Sequence, residues 1–190
     1  PSNFQKSIAF HIQMRYNVCV QNYVNLEDTM DKVRYGIVGV GNMGTVHARN
    51  FHAGKVENGV VTAVCDVNPA RLDAIREMYG DTASYFTDYH DLLNSGLVDV
   101  VIIATPHYLH PVIGIEAFKA GLHVLSEKPI GVYTQKVEEL IAAAKESGKE
   151  FGIMFNQRTY PAHQKLREIV QSGALGDLKR CVWIITDWYR

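Results

Sequence analysis

From Val33 onward the chain alternates short apolar runs with longer segments in which apolar positions recur every three or four residues. The runs are VRYGIVGV, VVTAVCDV, VDVVIIAT, HVLS and FGIMFN, with SYF as a brief edge candidate. Runs apolar on both faces predict buried parallel strands. Between them, NMGTVHARNFHAG reads as a helix closing on Gly54. NPARLDAIREMYG has Asn68 as N-cap, Pro69 at the first helical position and Gly80 as its stop, with Leu72, Ile75 and Met78 on one stripe. DYHDLLNSG predicts a short helix, and YLHPVIGIEAFKAG a longer one with Pro111 in its first turn. In TQKVEELIAAAKESG, Val137, Leu140, Ile141 and Ala144 share one face. About six strands alternating with amphipathic helices predict an α/β fold, a doubly wound parallel sheet covered on both sides.

The two ends lack this pattern. Residues 1–29 show no sustained period, and Met30 stands just before the first strand. We expect Met30 to be the natural start and residues 1–29 a non-native or disordered extension. Residues 30–157 then make the sheet domain. PAHQKLREIVQSGALGD continues as a helix and turn, and LKRCVWIITDWYR is a β-prone run. Residues 158–190 are therefore expected to be a linker helix and the first strand, roughly Leu178–Arg190, of a truncated second domain. On this reading the chain is a fragment.

Composition narrows the partners. Of 190 residues, 47% are hydrophobic and 21% charged, with a formal net charge of -1. Nothing supplies the surplus cations that a nucleic-acid partner requires. Cys19, Cys65 and Cys181 are far apart with no CxxC, which predicts neither a zinc knuckle nor a disulfide framework. Reduced thiols fit a cytoplasmic location. The apolar runs are too short to span a bilayer, so no membrane partner is expected.

Candidate chemistry starts at GVGNMG, where glycines 39, 41 and 44 follow the first strand and open a helix. Gly39 permits a tight turn, Gly41 lets backbone approach a pyrophosphate, and Gly44 lets helix and strand pack closely. Asn42 and Met43 complete the loop at the helix N-terminus, whose N–H groups and dipole favour phosphate. Asp66 ends the second strand, about 20 residues further on, where a carboxylate accepts from the adenosine ribose hydroxyls and repels a 2′-phosphate. That predicts NAD, while Arg71 in the next helix leaves NADP open. The simpler reading of Asp66 is an acid that helps cap the helix after Asn68.

VLSEKPIG then sets Glu127, Lys128 and Pro129 at the end of the fifth strand. In a doubly wound sheet, ligands bind outside the carboxyl ends of the strands, near the switch point. A lysine there can take the hydroxyl proton as an alcohol carbon gives up hydride. Burial and a positively charged nicotinamide ring would both favour its neutral form. Glu127 would tether the lysine or accept from a ribose hydroxyl. Without the glycine loop, Lys128 would read as a solvated loop charge.

VRYGIVGVGNMG, CDVNPAR, VIIATPHYLH, HVLSEKPI and FNQRTYP occur in that order, and together they resemble the Gfo/Idh/MocA family from Val33 to the end of the chain. The resemblance implies a Rossmann NAD(P)-binding domain with Lys128 as the catalytic lysine, shaped by Glu127 and Pro129. It implies that Thr105, Pro106 and His110 line the nicotinamide region, and that Asn156 and Arg158 reach toward cofactor or substrate. It further implies a small sugar, inositol or polyol substrate and a homodimer or homotetramer. The family's second domain supplies the rest of the substrate pocket, so these residues alone are expected to show negligible turnover.

Other candidates have plainer readings. His107 and His110 are three apart at a helix start, but no convergent carboxylate or thiolate is evident, so no metal site is expected. His47, His52, His90 and His163 read as surface or packing residues, and His123 as structural. Trp183, Trp188 and Tyr189 are more simply interface or core aromatics than a sugar platform. Three functions are carried forward. The leading one is an NAD(P)-dependent dehydrogenase acting on CH–OH groups. The others are an NAD-dependent glycosidase of the same superfamily and a non-catalytic NAD-binding regulator, against which Lys128 weighs.

Overall fold

The apolar runs become six parallel strands in the order β3-β2-β1-β4-β5-β6. They are β1 (Val33–Val38), β2 (Gly59–Cys65), β3 (Ser84–Phe86), β4 (Val100–Ile103), β5 (His123–Ser126) and β6 (Phe151–Ile153). The computed structural model describes residues 32–184. The expected extension at 1–29, Met30 and the final residues including Trp188 and Tyr189 lie outside those residues. Helices α1 (Asn42–His52), α2 (Pro69–Tyr79), α3 (Tyr89–Leu93), α4 (His110–Lys119) and α5 (Thr134–Ser147) alternate with the strands, and α6 (Pro161–Gln171) follows the last one.

Adjacent strand residues point to opposite faces, and the two faces form separate cores. Ile37, Val64 and Ile102 join Ala48 of α1 and Leu72 and Ile75 of α2 on one side. Val38, Ala63, Val101 and Ile103 join Leu92 of α3, Ile113 of α4 and Leu140 of α5 on the other. This is the doubly wound arrangement expected from strands apolar on both faces. Asn68 caps α2 by accepting from the Ala70 N–H, and Pro111 lies in the first turn of α4, both as anticipated.

The chain divides into two compact units between Met154 and Phe155. Residues 32–154 hold the whole sheet. Residues 155–184 hold a short 3-10 turn, Asn156–Thr159, and α6, every residue of which is exposed or half-buried. Residues 178–184 carry no strand, unlike the sequence expectation for this run, and 185–190 lie outside the described residues. A strand exists only through hydrogen bonds to a neighbour, and β propensity alone does not supply one.

Candidate functional site

The strand order reverses at β1, which pairs with β2 on one side and β4 on the other. The crevice at the carboxyl ends of these strands is the expected ligand position. The hydrogen-bond ladder continues beyond the strands along this rim. Gly39 N–H donates to Cys65 O, Ala104 N–H to Val38 O, and Glu127 N–H to Ile103 O, each at 2.8 Å. The loops that carry the candidate residues are therefore extensions of the sheet.

At the first loop, Gly39 has φ +89°. A Cβ on Gly39 would sit 2.8 Å from Ala104 O, and one on Gly44 would fall 1.8 Å from Gly39 O. The turn and the opening of α1 are thus in contact with no room for a side chain. A Cβ on Gly41 would meet only Arg71 Nη1, at 3.9 Å. Gly41 is the N-cap of α1, with no side-chain cap and no acidic residue in the first turn. Asn42 and Met43 are exposed at that helix end. Its first N–H groups have no partner within the helix, which suits a phosphate.

Asp66 is 5% exposed. Its Oδ2 accepts from the Val40 N–H and its Oδ1 from the Asn68 N–H, both at 2.9 Å. The carboxylate therefore pins the glycine turn to the start of α2. A carboxylate offers about four acceptor positions, so each oxygen retains one for a ribose hydroxyl. Both sequence readings of Asp66 are compatible with this geometry, although the cap of α2 itself comes from Asn68. Arg71 Nη1 lies 3.5 Å from Asp66 Oδ2 on a half-exposed side chain. Cys65, beside it, is no nucleophile: burial, then the charges of Asp66, Asp88 and Asp91, push its thiol up to about 12.

At the second loop the Thr105 hydroxyl is buried with no hydrogen-bond partner among the described residues. Pro106 is exposed and caps the 3-10 turn His107–Leu109. His110 is fully buried, its Nε2 2.8 Å from Thr105 O and its Nδ1 2.7 Å from Pro129 O. It bridges the loops after β4 and β5.

At the third loop Glu127 is buried and Lys128 exposed. The Lys128–Pro129 peptide bond in this turn is cis. Glu127 Oε2 accepts from the Lys128 N–H at 3.1 Å. Glu127 Oε1 lies 2.8 Å from His47 Nε2, which donates to it. Burial alone would push this carboxyl up. The hydrogen bond and charge of His47, then the N–H and charge of Lys128, outweigh burial and hold it below the usual carboxylate range. His47 is the residue that sequence reasoning missed, having been assigned to surface or packing. Its contact spans 80 positions. The one available signal was its place three residues after Gly44, on the inner face of α1.

The residues fit a dinucleotide. Gly39 and Gly44 leave no room for a side chain, Gly41 keeps the helix N-terminus open, Asp66 has acceptor capacity to spare, and Thr105 offers an orphaned hydroxyl. Asn156 and Arg158 belong to the second unit. There the Arg158 guanidinium lies 4.7 Å over the Phe155 ring, and the Asn156 carbonyl accepts from Thr159 Oγ1. No helix among the described residues is long and apolar enough to cross a membrane.

Residues 33–155 match the sequence profile described as an oxidoreductase family with an NAD-binding Rossmann fold, GFO_IDH_MocA. The chain is 34% identical over 145 residues to an inositol 2-dehydrogenase of Salmonella paratyphi B, covering 76% of this chain and 43% of that protein. It is 33% identical over 157 residues to a glycosyl hydrolase family 109 protein of Shewanella sp., covering 78% and 34%. Scyllo-inositol dehydrogenase from Lactobacillus casei, solved with NAD(H) and scyllo-inositol, superposes with a TM-score of 0.72 at 29% identity, over 77% of this chain and 43% of that one. The chain spans less than half the length of these proteins.

Proposed function

This chain belongs to the Gfo/Idh/MocA oxidoreductase family, and we propose that the protein it represents is an NAD-dependent dehydrogenase of inositol, a related polyol or a sugar, with Lys128 moving the hydroxyl proton. The supporting observation is the place of Lys128. It stands at the carboxyl end of β5, in a turn bonded back to β4 and to the helix that opens on the glycine loop. Gly41, Asn42 and Met43 would hold the pyrophosphate through their N–H groups, Asp66 the adenosine ribose, and Thr105 and Pro106 the nicotinamide end. Bound NAD supplies the hydride acceptor. Lys128 takes the proton from the substrate hydroxyl during oxidation and returns it in the reverse direction. Asp66 favours NAD, and Arg71 beside it leaves room for NADP. Asn156 and Arg158 are assigned to the cofactor or substrate. Assembly as a homodimer or homotetramer and a cytoplasmic setting complete the proposal, the latter in keeping with free thiols at Cys65 and Cys181.

The similarity to the Shewanella protein supports a second reading, an NAD-dependent glycosidase that oxidises the sugar, eliminates the leaving group, adds water across the resulting double bond and returns the hydride. NADH accumulating with free inositol supports the dehydrogenase; glycoside cleavage without NADH supports the glycosidase. Lys128→Ala tests both against a non-catalytic regulator. A positioned base contributes about 10²–10⁴ in rate, so turnover should fall by that factor while NAD affinity stays within about threefold. Unchanged turnover would refute the role of Lys128.

A further inference from the structure

Lys128 is a long, exposed side chain with substantial rotamer freedom, and its useful placement depends on how its turn is held. On one side the turn is anchored by Pro129 O on the His110 ring, 2.7 Å away. On the other, its N–H is fixed by Glu127 Oε2, and Glu127 Oε1 is fixed in turn by His47. The His47 side chain is only 17% exposed and that of Glu127 8%. Two polar groups taken this far out of water cost stability unless they satisfy each other, and an apolar pair would fill the same space more cheaply. What the polar pair adds is direction. It joins α1, whose N-terminus is the phosphate cradle, to the backbone N–H of the lysine. We propose that His47 is a positioning residue for Lys128, acting through Glu127 to tie the lysine's placement to the helix that seats the dinucleotide.

The inference rests on Lys128 being the lysine beside the cofactor, so the test reports on both ideas separately. The exposed lysines of the full chain are acetylated with a trace of acetic anhydride, with and without saturating NAD+. Labelling of Lys128 is compared with that of Lys145, an exposed residue on α5, by mass spectrometry. In the unmodified protein NAD+ should slow labelling of Lys128 by about fivefold or more relative to Lys145, the scale of one hydrogen bond that occupies the amine and shields it from the reagent, which outweighs the rise in its neutral fraction beside the ring. If it does not, the placement of Lys128 beside the cofactor fails, and this inference with it.

His47→Leu removes the donor. It should lose most of that protection while NAD+ affinity stays within about threefold, and His47→Gln, whose amide can still donate to Glu127, should keep it within about twofold. Should His47→Leu fold poorly, Glu127→Ala asks the same question by removing both bonds, and loss of protection is again expected. Full protection in His47→Leu or Glu127→Ala overturns the inference. So does equal loss in His47→Gln and His47→Leu. So does a fall in NAD+ affinity that matches the lost protection, because it would make His47 part of the cofactor cradle.

Discussion

The two edges of the sheet are made from the same ladder yet are finished differently. At the amino edge, polar groups satisfy each other. Arg34 donates to both oxygens of Asp99, through Nη2 at 2.6 Å and Nε at 3.1 Å, and its Nη1 reaches Gly96 O at 2.8 Å. His123 Nδ1 accepts from the Glu150 N–H at 3.0 Å. At the carboxyl edge, the helix N-terminus at Gly41 has no side-chain cap and the Thr105 hydroxyl no partner among the described residues. The acids there bind backbone, so that Asp66 shapes a turn and Glu127 steadies another. An edge closed on itself stabilises the fold, whereas one that holds shape but leaves donors open is prepared for a ligand.

If that contrast is right, substitutions in the glycine turn and at Asp66 should change NAD binding, and those at the amino edge should change only stability. The largest effect is expected from Gly44→Ala, whose Cβ has no place against Gly39 O. Overpacking of this kind costs about 1–3 kcal/mol or more, and the distortion lands on the glycine turn, so NAD affinity by calorimetry should fall by about 100-fold or more. Wild-type affinity in a folded Gly44→Ala protein would break the comparison. Asp66→Asn comes next. Its amide can accept only through one atom, which leaves the Val40 or Asn68 N–H without an acceptor, at about 1–3 kcal/mol in urea unfolding. Weakened NAD binding should accompany that loss.

Arg34→Met should cost about 1 kcal/mol, because the pair is half-exposed and partly screened, with NAD affinity unchanged. The smallest effect is on pH dependence. Burial, then the charge of Lys149, holds His123 below its ordinary value near 6.5. The unfolded chain therefore takes up this proton first as pH falls. Stability is full above about 6.5, declines as pH drops toward the lower folded value, and levels off beneath it. His123→Asn should flatten that slope in unfolding curves taken from pH 7 to 5. An unchanged slope would mean that another group carries it.

Most of the fold was readable from the chain because its signals are local. The strand runs, the Asn68 cap, Pro111 and the glycine spacing each lie within a few neighbours, and each is found where expected. The site was only half readable. Glycine spacing and the lysine at a strand end could be placed, but the bonds that hold them could not. Asp66 reaches Val40 and His47 reaches Glu127 only once parallel strands bring distant segments to one edge. Likewise, residue type encodes neither the exposure of Lys128 nor whether the β-prone run at 178–184 pairs among the described residues, where it carries no strand.

The most direct test of the account is a structure of the whole protein with NAD+ bound. It should show the pyrophosphate on the N–H groups at Gly41, Asn42 and Met43. Lys128 Nζ should face the nicotinamide ring across about 6 Å or less, the reach of one hydrogen bond or a single bridging water. A cofactor seated there with Lys128 directed into bulk solvent, or a pyrophosphate bound elsewhere, would contradict it.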